Sequence, residues 1–97
     1  MDIEKVVAAL NSDLRREILK IIAGQTMTVV EVLKELNKRG LEVKYRESVY
    51  RALEKLLEAG LVQKYYVKEK GLCYKITLNR VVIDITKGTI EEANRFE

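Results

Sequence analysis

SVYRALEKLLEAGLV, residues 48–62, is the stretch on which the fold turns. Its Val49, Ala52, Leu53, Leu56 and Leu57 recur at the three- and four-residue spacing of an amphipathic helix. The run closes on Gly60, and beyond it the apolar period shortens from 3.6 residues to 2. Such a helix buries its leucine ridge and turns Tyr50, Arg51 and Lys55 outward. The pattern predicts a start near Tyr45 or Arg46 and a stop at Gly60.

Upstream, Ile3, Val6, Val7 and Leu10 share one helical face, which predicts a first helix near residues 2–10. Ser12 is placed to cap a second helix, with Asp13 in its first turn and Gly24 as its stop. Leu14, Ile18, Leu19, Ile21 and Ile22 form that helix's apolar face. Thr28 stands three residues before Glu31, the spacing of a capping box, and Val29, Val32, Leu33 and Leu36 follow as a buried stripe up to Gly40. The connector LEVKYRESV then leads into the fourth helix.

Downstream, LVQKYYV and LCYKITL flank KEKG, predicting two antiparallel strands and a tight turn with Gly71 at positive φ. Alternation sets Leu72, Tyr74, Ile76 and Leu78 on one side of the second strand, and Cys73, Lys75 and Thr77 on the other. VVIDIT, residues 81–86, predicts one more strand. Thr89 and Glu92 repeat the capping-box spacing and predict a short last helix over 89–96. The class is therefore α+β: three to four helices, a two-stranded β-wing, then a short C-terminal strand/helix extension.

Ninety-seven residues, 47% hydrophobic and 34% charged, make one soluble globular domain over 1–97, with a core at 6–78 and an extension at 79–97. No apolar run approaches the roughly 20 residues that cross a bilayer, and the start of the chain lacks a secretion signal's pattern. A cytoplasmic protein without a membrane role is expected. The single cysteine, Cys73, agrees with a reducing compartment and reads as a small apolar filler or, less simply, a redox sensor. There is no histidine, which removes the usual general base and the usual nitrogen ligand for transition metals. Neither enzyme chemistry nor a metal or other cofactor is expected.

Residues 37–80 hold eleven Lys or Arg against five Glu, a net +6, while the rest of the chain holds seven against ten, a net −3. A basic half between acidic flanks suits a polyanionic partner, although charge runs also occur as plain solvated faces.

Helices followed by a two-stranded ribbon draw the outline of a winged helix-turn-helix. ALNSDLRREILKIIAG, TVVEVLKEL, SVYRALEKLLEAGLV and KYYVKEKGLCYKITL, in that order, resemble the arsenic-repressor-type (ArsR-like) winged-helix transcription regulators over roughly residues 6–78. The resemblance implies a dimeric regulator of double-stranded DNA whose fourth helix enters the major groove. That groove, about 12 Å wide, admits one helix. Lys44, Tyr45, Arg46, Ser48, Tyr50 and Arg51 would meet it, Arg46 and Arg51 as readers of guanine and Lys55 as a backbone contact. Arg51 can equally pair with Glu47 or Glu54 on its own helix. Lys64, Lys68 and Lys70 on the wing suit phosphate, as does the backbone start of the helix at Thr28. For each, a purely structural role is the plainer alternative.

A homodimer seam is expected at Ile3, Val6, Val7 and Leu10, with Ile90 and Phe96 from the tail. The chain departs from the arsenic-repressor pattern in two respects. TVVEVLKELN carries no cysteine and no histidine, so metal sensing is not carried over. The connector RGLEVKYRE is longer than a tight helix-turn-helix turn, which leaves open by about a full turn which residue first meets the groove. The competing expectation is a winged helix used as a protein-interaction module in a transcription or replication assembly, for which Glu54 and Glu58 beside Arg51 speak.

Overall fold

Local chemistry starts the first three helices in the computed structural model, which describes residues 1–95. Asp2 accepts hydrogen bonds from the Glu4 and Lys5 backbone N–H groups and opens α1, Ile3–Leu10. Ser12 does the same for α2, Asp13–Ile22, by accepting from the Arg15 N–H at 3.2 Å. At α3, Val29–Lys38, the capping box is complete: Thr28 Oγ1 accepts from the Glu31 N–H at 3.2 Å, and Glu31 accepts from the Thr28 N–H at 2.9 Å. Then follow α4, Arg46–Glu58, and strands β1, Val62–Val67, β2, Gly71–Ile76, β3, Leu78–Asp84, and β4, Thr89–Arg95. Gly60, at φ +79°, turns the chain from α4 toward the wing, a conformation that costs an L-residue about 1 kcal/mol or more.

The core forms where the helical stripes converge on the wing. Ile18, Ile21 and Ile22 of α2, Val32 and Leu36 of α3, and Val49, Leu53 and Leu56 of α4 are all buried. Tyr74 of β2 closes this core from the wing side. The alternation expected along β2 holds for Tyr74 and Ile76 but breaks at two places. Leu72 is 56% exposed because it lies near the wing tip, and Cys73 is fully enclosed together with its neighbour Tyr74. Cys73 thus packs as a small apolar side chain, its thiol donating weakly to the Gly71 carbonyl at 3.6 Å.

β1 and β2 pair antiparallel from Val62↔Ile76 to Val67↔Gly71, with both Glu69 and Gly71 at positive φ in the turn. Met27 exchanges two backbone hydrogen bonds with Tyr74, at 3.0 and 2.8 Å, so the loop before α3 adds a short third rung to the wing.

The last helix expected over 89–96 is instead β4. Residues 89–95 run antiparallel to β3 from Asp84↔Thr89 to Leu78↔Arg95, and Ile90 is buried on the core. Asp84 accepts from Thr86 and Lys87 and shapes the turn that returns the chain. A helix of seven or eight residues gains little on its own in water, whereas the apolar run of β3 offers an immediate ladder partner. The Thr89–Glu92 spacing was a capping signal without a helix to cap. No helix among the described residues is long and apolar enough to cross a membrane.

Candidate nucleic-acid interface

With Val49, Ala52, Leu53 and Leu56 turned inward, the geometry of α4 leaves Tyr50, Arg51 and Lys55 on its outer surface. Arg51 is extended into solvent, its side chain 80% exposed, and lies 3.7 Å from Glu47. So open an i,i+4 pair stabilises the helix by about 0.3–0.5 kcal/mol and leaves the guanidinium available. Tyr45, at the N-cap, is 71% exposed and makes no side-chain capping bond. Lys44, Arg46 and Ser48 are exposed around it.

α4 is positioned by a residue that periodicity did not single out. The Asn37 amide donates to the carbonyls of Leu33 and Val43, both at 3.0 Å, and its oxygen accepts from the Val43 N–H at 3.3 Å. The long connector between α3 and α4 is therefore clipped back onto α3 in place of a tight turn. Arg15 serves the other corner: its guanidinium donates to the carbonyls of Ala8 and Ala9 at the open end of α1.

The starts of α3 and α4 and the edge of the wing enclose an open cleft, which brings together Thr28, Arg46, Tyr50 and Lys70 from the expected set. Glu47 and Leu72 also line it. Lys70 reaches across to α3, 3.1 Å from the Glu31 carboxylate and 3.1 Å from the Thr26 carbonyl. The Thr28 N–H, donating into Glu31 with help from Lys70, holds that carboxyl below the usual carboxylate range. Thr28 and Lys70 thus stitch the wing to α3, and the Thr26 hydroxyl, 3.0 Å from the Tyr65 hydroxyl, adds a second stitch.

Lys64 is likewise occupied. Its ammonium sits 3.0 Å from Glu54 on α4, and the buried Tyr74 hydroxyl donates to the same carboxylate oxygen at 2.7 Å. Tyr74, foremost, and Lys64 hold the Glu54 carboxyl below its usual range, while burial and that carboxylate push the Tyr74 phenol well up. This triad fixes the angle between α4 and the wing. Of the three wing lysines expected to meet phosphate, Lys64 and Lys70 are paired with Glu54 and Glu31, while Lys68 at the hairpin tip is exposed and forms no ion pair among the described residues.

The residues expected at a subunit seam fall into three places. Val6 and Ile90 are enclosed in the chain's own core, at 0% and 6% exposure, so neither faces a neighbour. Ile3 and Leu10 are half-buried and Val7 is 50% exposed. Phe96 lies outside the described residues.

No family model and no curated protein matches the chain. Solved structures do. The ferric uptake regulator of Helicobacter pylori superposes over 96% of this chain and 71% of its own, with a TM-score of 0.64 at 19% identity. The ferric uptake regulator of Vibrio cholerae covers 86% of this chain and 67% of its own, with a TM-score of 0.61 at 20% identity. A zinc-bound manganese uptake regulator covers 97% and 76%, at 0.64 and 19%. The fold is that of these winged-helix proteins. They are uptake regulators and not arsenic-repressor-type ones, so the likeness carries the winged helix and gives no support to the narrower family.

Both the Helicobacter pylori protein, described with three functional metal-binding sites, and the zinc-bound regulator carry metals. The donors among the described residues do not fit a transition-metal site of that kind. The chain has no histidine and its one thiol is sealed in the core. Among the described residues no three His, Cys, Asp or Glu side chains gather closely enough to share an ion.

Proposed function

We propose that the protein is a sequence-specific, duplex-DNA-binding transcription regulator, a repressor that works as a homodimer without a metal cofactor. The observation that carries the proposal is the outer surface of α4: a helix held by a buried leucine ridge, with Arg46, Arg51 and Lys55 exposed on its other side. Placed in the major groove, its N-terminal half would set Arg46 and Arg51 against base edges while Lys68 on the wing meets phosphate. The likeness to metal-uptake regulators supports the gene-control reading, and the donor set supports a regulator that answers to something other than a transition metal.

A second copy is invoked because one helix offers too few base contacts for tight selection, and two-fold pairs reach half-sites about 34–36 Å apart. The second hairpin supports it. Val82, Ile83 and Ile85 are 52%, 41% and 87% exposed, on a two-stranded unit that is marginal in water unless covered.

Fluorescence anisotropy on mixed genomic duplexes tests the proposal. Binding should weaken steeply with salt, with log K falling linearly in log[salt] by about 0.9 for each phosphate neutralised. Added Mn²⁺ or Zn²⁺ should leave the affinity unchanged. No binding at low salt, together with co-purification of a fixed protein partner, would favour the interaction-module reading instead, for which Glu58, exposed on α4, speaks, while Glu54 is taken up by Lys64 and Tyr74.

A further inference from the structure

A second concavity lies where the second hairpin leaves the helical body, and it shares no residue with the basic cleft. Its walls are hydrocarbon: Leu10 from α1, Leu19 from α2, Leu61 and Ile76 from the base of the wing, Leu78 and Val81 from β3. Leu61, Ile76 and Leu78 are buried, so the floor is closed, and the cavity volume is ≈ 310 Å³. That is the small end of the range for ligand pockets, about 300–1,000 Å³.

The rim is cationic. Lys20 and Arg80 stand on it with the Asn79 amide, and no carboxylate lines it among the described residues. Lys20 is 3.6 Å from Glu17, but its side chain is 70% exposed, so that pair is loose. The β3–β4 register slips on both sides of Arg80. Bulges of this kind re-aim a side chain out of the strand's alternation.

We propose that this cleft is a binding site for a small amphipathic carboxylate, an alkyl or aryl acid. The tail lies on Leu19, Leu61, Ile76 and Leu78, and the carboxylate meets Lys20 and Arg80. A guanidinium grips a carboxylate through two parallel hydrogen bonds. The apolar walls disfavour sugars and nucleotides, whose hydroxyls would be buried without partners.

Calorimetry and methyl NMR on the full chain with hexanoate, octanoate and decanoate, below micelle formation, provide the test. Saturable binding of one acid per chain is expected, with affinity rising by roughly fourfold per added methylene as it is buried. The double variant Arg80→Gln/Lys20→Gln should weaken decanoate at least tenfold and leave decanol within twofold. Ala23→Phe, an exposed position on the cleft wall, should weaken both ligands with no change in thermal unfolding. The proposal is overturned if none of the acids binds, if affinity ignores chain length, if decanol matches decanoate on the unaltered protein, or if the double variant holds decanoate unchanged.

Discussion

Arg51 and Lys68 both face solvent, yet they stand at different distances from sequence information. In the proposed complex Arg51, on α4, would face the groove, and Lys68, at the tip of the β1–β2 hairpin, would meet the sugar–phosphate edge. Arg51→Ala should therefore flatten discrimination between sites by about 1–3 kcal/mol, and Lys68→Ala should weaken all sequences alike. Anisotropy across a panel of duplexes separates the two; equal losses on every duplex for both variants would undo the assignment. Glu54 acts differently, inside the fold. Its carboxyl is held below the usual range when folded, chiefly by the Tyr74 hydroxyl. The unfolded value is about 4.3, so its stabilising contribution is complete above that pH and is lost as pH falls through the folded value. Glu54→Gln cannot titrate, and urea unfolding should lose less stability between pH 7 and pH 3 in this variant than in the unaltered protein.

At the scale of elements, the helices were legible because their signals are local. Ser12, the Thr28–Glu31 box, Gly24, Gly40 and Gly60 each act within one turn of the backbone they stop or start, and all three glycines take positive φ. The connector before α4 was not legible, since Asn37 closes it through three hydrogen bonds whose partners lie four and six residues away. Asn37→Ala should destabilise the protein by about 1–2 kcal/mol. It should also lower DNA affinity without altering charge, which thermal unfolding and salt-dependent anisotropy would show together. An unchanged salt slope with weaker binding would mark loss of helix placement and not loss of a phosphate contact. The last element was misread for the opposite reason: its local signal was present, but pairing with β3 overrode it.

For the whole molecule, the second hairpin sets the question of assembly. Its Val82, Ile83 and Ile85 are open to water, while Ile90 on the partner strand is sealed against the core. Ile85→Glu should leave the fold intact, because Ile85 is 87% exposed, and should shift sedimentation toward monomer with a loss of DNA affinity. An unchanged dimer would place the seam elsewhere, on Val7 and the first helix. The sequence alone determined the helices, the wing, its glycine turn and the outward basic face of α4, because periodicity, caps and turn chemistry operate between near neighbours. Only the tertiary structure decided which of the wing's cations remain available. Lys64 meets a glutamate ten residues back and Lys70 a carbonyl 44 residues back, and such partners are chosen by packing across the chain. Tertiary contact also made the tail a strand, since a ladder partner supplies hydrogen bonds that a seven-residue segment cannot supply for itself.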